Sequence, residues 1–265
     1  MALARDDVPF RLLHTENPSP IAAESFPVVW EVPAAISMLA ARQRPALLIN
    51  DRPPPGLHSL QIDSVSTDDY SGGACAAQLL QQKLAGAPGL LAPLSVAPVA
   101  RGRAKRSGNQ AAQNAPRTDA SSRASSEWKI AILSGPPGDS RSNQRVAGFL
   151  SLLPAAVTTC PTWFLEDALV AAPKVLGSRP DAIFCCNDRL AQALIVYAKE
   201  RGMVLPPIVG FDDAPIAEQL DLTTIAIPWG PLLSTAVSLI RRRLAGDVSG
   251  PVHQIFPPRP IIRSL

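Results

Sequence analysis

The stretch DAIFCCNDRLAQALIVYAKERGMVLPPIVGFDD, residues 181–213, decides the architecture of this chain. It opens on an apolar run at 182–186, too short for a helix and without polar alternation, which reads as a strand buried on both faces. A helical pattern follows from 188 to 202, with Gly202 standing where a left-handed residue closes a helix. A second apolar run occupies 207–211. Strand, helix and strand in this order form the repeating unit of a parallel sheet.

The same alternation extends outward. Downstream, a strand is expected at 222–227, a helix at 231–244 closed by Gly246, and an extended stretch at 252–263. Upstream, WKIAILS at 128–134 reads as a buried strand, with a helix at 142–153, a short strand at 163–165 and a helix at 166–176. Further upstream, strands are expected at 10–14, 28–30, 45–50 and 58–65, with helical patterns at 34–41 and 70–83. Residues 98–127 break the rhythm. They are polar, rich in Ser, Ala and Asn, and read as a flexible insertion. Six basic residues lie there, Arg101, Arg103, Lys105, Arg106, Arg117 and Arg123, but no aromatic accompanies them, so a solvated loop is a simpler reading than a nucleic-acid tail.

Composition narrows the class. A chain of 265 residues suits one large domain or two lobes, and 46% apolar against 18% charged residues supports a buried core and excludes global disorder. A net charge of +3 is too small to imply a nucleic-acid surface. Cys75, Cys160, Cys185 and Cys186 contain no C-x-x-C pair and read as small buried hydrophobes in a reducing compartment. The N-terminus has no apolar h-region and no run of 18 apolar residues occurs, so a cytoplasmic protein without signal peptide or membrane span is expected.

In open parallel sheets ligands bind beyond the carboxyl ends of the strands. Asn187 and Asp188 follow the strand at 182–186. Asp212 and Asp213 follow 207–211, Arg145 lies in the helix after 128–134, and Trp229 follows 222–227. Amides, carboxylates and a guanidinium bridge hydroxyl groups, and an indole covers the apolar face of such a molecule. Each residue also has a plainer role: Asn187 or Asp188 as helix N-cap, Asp212 and Asp213 as turn formers, Arg145 as a surface residue, Trp229 as core. Enzyme signatures are missing. SGPPGDS lacks the ending of a P-loop, no G-x-G-x-x-G or G-x-S-x-G occurs, and His14, His58 and His253 lie in unrelated segments. No catalytic residue, cofactor or metal is therefore expected.

From residue 45 onward the chain resembles the effector-binding module of LacI/GalR transcription regulators, which share the type I periplasmic-binding-protein fold. The matching stretches are PALLINDRPPPG, SVSTDDYSGGACAAQLL, IAILSGPPGDSRSNQRVAGF, the quoted stretch 181–213 with its continuation to LTTI, and PPRPIIRSL. The resemblance implies an α/β protein of two Rossmann-like lobes, parallel sheets flanked by helices. The first lobe comprises 1–65 and 226–246, and the second 66–225 and 247–265. It implies a small-molecule effector, sugar or polyol, bound between lobes, and a homodimer. Position by position, it adds Asp69 to Arg145, Asp188, Asp212 and Trp229 as ligand contacts. Two departures stand out. No helix-turn-helix precedes Phe10, so DNA contact is expected only through a domain outside this chain. The family's first strand and helix have no counterpart, so a shortened first lobe is expected. A stand-alone sugar-binding protein is the alternative reading, with an enzyme on a similar fold behind it.

Overall fold

The computed structural model describes residues 25–30, 36, 38, 39, 41, 44–53, 61–86 and 128–264. The strand expected at 10–14 and the insertion at 98–127 lie outside them.

Two sheets organise the chain. The first consists of β1 (Val28–Trp30), β2 (Ala46–Ile49), β3 (Ile62–Thr67) and β9 (His253–Phe256), in the order β1-β2-β3-β9 and all parallel. The second contains β4 (Ile130–Ser134), β5 (Ala156–Thr159), β6 (Ala182–Cys185), β7 (Ile208–Asp212), β8 (Thr224–Ala226) and β10 (Arg259–Ile261). Its order is β10-β8-β7-β6-β4-β5, parallel except for β10. The apolar runs at β2, β4 and β6 are buried nearly throughout, as double-sided covering requires, and β3 is buried too although Asp63, Ser64, Ser66 and Thr67 make it largely polar.

Helices supply that covering. In the second sheet, α1 (Asp69–Leu84) packs on α2 (Ser140–Leu150), and α3 (Leu165–Gly177) packs on α4 (Asp188–Glu200). The short α5 (Pro215–Gln219), absent from the sequence reading, starts on a proline, a favoured first residue. On the first sheet, α6 (Trp229–Leu244) lies against β2 and β3, while Ile36, Met38, Leu39 and Ala41 are helical, matching the pattern at 34–41. Leu47 and Leu48 show the period of two. Leu47 joins the large core that continues into the second sheet, and Leu48 joins a smaller cluster with Val29, Leu39 and Ile62.

Two expectations are corrected. The strand expected at 163–165 lies instead at β5, and Phe164 is the N-cap of α3. The edge strand β5 has mostly exposed residues and so lacks an apolar run; its β-branched Val157, Thr158 and Thr159 were its signal. The closing stretch, placed whole in the second lobe, divides between the sheets. β9 pairs with β3 and β10 with β8.

An ion pair between a partly buried arginine and a fully buried aspartate fixes the C-terminal end of α6. Arg243 donates from Nε and Nη2 to the two oxygens of Asp63 on β3, at 2.8 and 2.7 Å. It also donates to the carbonyls of Asp247, Ser249 and Gly250. These bonds use its whole donor fork and shape the loop that leads into β9.

Candidate functional site

The second sheet reverses strand order between β4 and β6: the chain runs outward to β5 and returns on the other side of β4. Adjacent loops leave that point in opposite directions and open a crevice at the strands' carboxyl ends. Four of the six candidate residues meet or approach each other there.

Arg145 is at the centre. The second sheet carries α2 over this edge, capped by Asp139, whose carboxylate accepts from the Ser142 amide at 2.9 Å. Arg145 is 3% exposed. Its Nε donates to Asp69 at 2.7 Å, and its Nη1 to the Cys186 carbonyl at 2.6 Å and to Asp212 at 3.1 Å. Its guanidinium lies 3.7 Å from the centre of the Phe211 ring and 5.7 Å from that of Trp163. Burial works against its charge, but the carboxylates of Asp69 and Asp212 more than offset this and hold it protonated.

Asp212 is the open member of the cluster, with 29% of its side chain exposed. It has φ 105° and Asp213 φ 56°, left-handed backbone that a non-glycine residue adopts at a cost. That geometry swings Asp212 onto Arg145, while Asp213 pairs with Arg263 at 2.8 Å. Desolvation, together with the charge of Asp69, raises the Asp212 pKa to about 6 against the opposing pull of Arg145.

Asn187 caps α4, its Oδ1 accepting from the Leu190 amide at 2.8 Å, and its amide nitrogen donates to the Trp163 carbonyl at 3.3 Å. Asp188 is 1% exposed, with both oxygens engaged: Thr224 Oγ1 donates at 2.6 Å and the Ala214 amide at 2.8 Å. It therefore braces β8 and the loop after β7, and Gly210 leaves room for it, since a Cβ there would strike its carboxylate. Burial raises the Asp188 pKa to about 7, with Asp212 and Asp213 adding repulsion and the Thr224 and Ala214 bonds opposing it. Trp229 starts α6 and lies against Trp30, centroids 5.7 Å apart.

A pH dependence follows. Asp188 and Asp212 both have folded-state pKa values above the ordinary 3.8, so the native state binds protons more tightly than the unfolded chain. Their contribution is fully present below about pH 4 and is lost as pH rises through about 6 to 7. Urea unfolding is expected to show a native state about 4 kcal/mol less stable at pH 8 than at pH 5, with the larger part of the slope removed in Asp188→Asn. A flat profile in the parent chain would contradict this assignment.

Several residues escaped the sequence reading. Trp163 was hidden in the misplaced strand; its ring fills the space above Gly135. Phe211 underlies Arg145, and Thr224 braces Asp188, roles that only pairing across the sheet reveals. Asp51, at the end of β2, is held above the usual carboxylate range by burial, and it senses the charges of Arg141, Asp139 and Asp69. A cavity of about 440 Å3 opens between α2 and β5, lined by Val146, Leu150 and Val157, but Arg145 and Asp212 do not line it. The four cysteines are free and buried, and burial raises the Cys75 and Cys160 thiols to about 11 and that of Cys186 to about 12, which removes them as nucleophiles. Among the described residues no group of three or more His, Cys, Asp or Glu is placed to hold a metal. No helix among them is long and apolar enough to cross a membrane.

Two mainly parallel sheets wrapped in helices, with charged and aromatic groups gathered where strand order reverses, define a ligand-binding α/β class. The chain belongs to the periplasmic binding protein-like domain family, whose model matches residues 110–264, more than half of its length. The HTH-type transcriptional repressor PurR of Photobacterium profundum is 32% identical over 130 residues, 44% of this chain and 39% of the repressor. The ribose operon repressor of Haemophilus influenzae is 31% identical over the same shares. The chain thus spans about two-fifths of the length of the curated relatives it matches. Among solved structures, a LacI family regulator from Enterococcus faecalis with bound ribose superposes with a TM-score of 0.65 at 22% identity, covering 91% of this chain and 77% of that one. A periplasmic solute binding protein from Actinobacillus succinogenes with bound D-allose gives 0.61 at 16%, covering 86% and 73%. These likenesses bear out the fold expected from the LacI/GalR resemblance.

Proposed function

We propose that this chain is the effector-sensing part of a LacI/GalR-type transcription regulator, binding a sugar-like molecule between two lobes and acting by binding rather than by turnover. The observation that carries this reading is the Arg145 cluster: a buried guanidinium with its partly exposed carboxylate Asp212 and the indole of Trp163, at the point where strand order reverses. Paired hydroxyls are bridged by such groups, and an indole shields the apolar face. Repressors among the relatives, and ribose and D-allose in the structural neighbours, support the role and the ligand class. The lobes would each hold one sheet, the protein would work as a homodimer in the cytoplasm, and effector would act through a difference in affinity between open and closed forms.

A thermal-shift screen of the purified chain against sugars, sugar phosphates, polyols and nucleosides tests the proposal. A ligand that binds only the folded state raises Tm, by about 2.7 kcal/mol of stabilisation at a hundred times Kd. The shift is expected to vanish in Asp212→Asn, a variant that leaves Arg145 its bonds to Asp69 and Cys186. A ligand whose shift is unaffected in Asp212→Asn would place the site elsewhere.

A further inference from the structure

The turn that ends β7 carries strained backbone. Asp212 and Asp213 are consecutive non-glycine residues at φ 105° and 56°. Such a pair persists only where the surroundings over-determine it. Its shape sets where the Asp212 carboxylate sits. Arg145 meets that carboxylate at 3.1 Å, longer than its bonds to Asp69 and to the Cys186 carbonyl, so the turn needs other anchors. The Asp188 carboxylate accepts from the Ala214 amide at 2.8 Å and fixes the residue that follows. The Ile227 amide reaches the Asp212 carbonyl only at 3.4 Å. The side chain of Asp213 itself is gripped by Arg263, two residues beyond β10, whose Nη2 donates to it at 2.8 Å.

Arg263 can serve as a bracket because it is itself held. Its Nη1 donates to the Leu222 carbonyl at 2.9 Å and its amide to Thr223 Oγ1 at 3.0 Å. Thr223 Oγ1 donates to the Ser264 carbonyl at 3.1 Å, and the Ser264 amide to the Asp221 carbonyl at 3.0 Å. The approach to β10 is pinned as well: a Cβ on Gly72 of α1 would meet both Pro258 and the ring of Phe211, which lies beneath Arg145. One guanidinium thus spans from the segment before β8 to the turn at the end of β7. Tying down the segment after β10 requires only the bonds to residues 221–223. The bond from Nη2 goes elsewhere, and what it fixes is the turn.

We propose that Arg263 is a positioning residue of the effector site: by holding Asp213 in left-handed backbone, it keeps the Asp212 carboxylate on Arg145 and directed at the crevice. It touches no ligand itself. This rests on the effector-sensing role proposed above and adds the residue that sets the geometry of that site.

The Asp212 carboxyl reports its own position. It faces Arg145 and Arg141 on α2, Asp69 on α1 and Asp188 on α4, and desolvation in the crevice raises its pKa to about 6. Loss of a nearby cation by itself can only raise that value further, whereas release of the carboxylate into solvent lowers it. The test is a carbon-13 NMR titration of the full chain labelled at its aspartate carboxyl groups, the Asp212 signal being the one lost in Asp212→Asn. In Arg263→Gln the Asp212 pKa is expected to fall by about one unit or more towards the ordinary 3.8. Asp213→Asn breaks the same bond from the other side while keeping a residue that tolerates left-handed backbone, and is expected to do the same. The double variant is expected to add nothing further, as for two groups that act through one bond. Arg263→Lys keeps a charge on Asp213 without the planar fork and is expected to fall between. Calorimetric titration with D-ribose and D-allose is expected to show binding about tenfold weaker in Arg263→Gln, as when the binding-competent arrangement drops to about a tenth of the population. An Asp212 pKa that stays or rises in Arg263→Gln and Asp213→Asn, or sugar affinity equal to the parent's, overturns the positioning role and leaves the sensing role standing. The expected fall in pKa in a chain that binds neither sugar leaves Arg263 as the holder of Asp212 and counts against the sugar-sensing role instead.

Discussion

Arg145→Met is expected to lower the unfolding free energy by about 3–5 kcal/mol, the range for removing one partner of a buried ion pair. The reason lies in what remains. Asp69, with 5% of its side chain exposed, loses its partner at 2.7 Å, Asp212 loses one at 3.1 Å, and the Cys186 carbonyl loses its donor. Methionine fills the volume but gives nothing to these oxygens, so two carboxylates repel each other in a poorly hydrated crevice. Adding Asp69→Asn removes one orphaned charge and is expected to restore about 1–2 kcal/mol, an interaction energy typical of groups in one network. Guanidinium denaturation of the parent, both single variants and the double variant measures this directly. An Arg145→Met chain within 1 kcal/mol of the parent would mean that the cluster contributes little to the folded state.

The second large effect is expected at two glycines. A Cβ on Gly73 of α1 would collide with the backbone carbonyl of Arg145, and a Cβ on Gly148 of α2 would collide with that of Tyr70. The obstacles are main-chain atoms that no rotamer change can move. Alanine at either position must push the helices apart, at a cost of about 3 kcal/mol, the upper part of the overpacking range. Gly177, where a Cβ would meet nothing within 4 Å, is the control, and there alanine is expected to be neutral or slightly stabilising. The Gly73 contact also sets the spacing between Asp69 and Arg145, so Gly73→Ala should weaken effector binding along with stability. Calorimetric melting of the three variants, paired with effector titration, separates this from an ordinary loss of packing. A Gly73→Ala chain that melts with the parent would refute the close approach of α1 and α2.

The βαβ pattern at 181–213 was legible because its strands are buried on both faces and its helix ends on a glycine, here with φ 62° at Gly202. Asn187 proved to be the N-cap that was weighed as its plainer role. β5 was not legible, since an edge strand with mostly exposed residues has no need of apolar ones. The partners of Arg145 were only half legible. Strand ends point to Asp212, but Phe211 lies beneath the guanidinium, and Asp69 is 76 positions away, so the resemblance rather than local pattern brought it in. Asp188 was expected to contact ligand. Its burial and two protein donors depend on Thr224 from another strand, information that no local window contains. Trp163 carried no signal beyond being aromatic, because its value lies in which strand ends the topology brings together.

The division of the closing stretch between two sheets also orders events during synthesis. β3 is made early, yet its neighbour β9 lies far along the chain, as the bond between Ser64 and His253, 189 positions apart, records. Strands β4 to β8 and their helices follow one another without interruption and can assemble as they emerge. The first sheet has to wait with one edge of β3 open until β9 has left the ribosome, and the Asp63–Arg243 clamp closes only after Arg243 has been made. A nascent chain stalled before residue 253 would therefore hold a nearly complete second sheet beside an unfinished first one, an exposed strand edge that invites chaperone capture or aggregation.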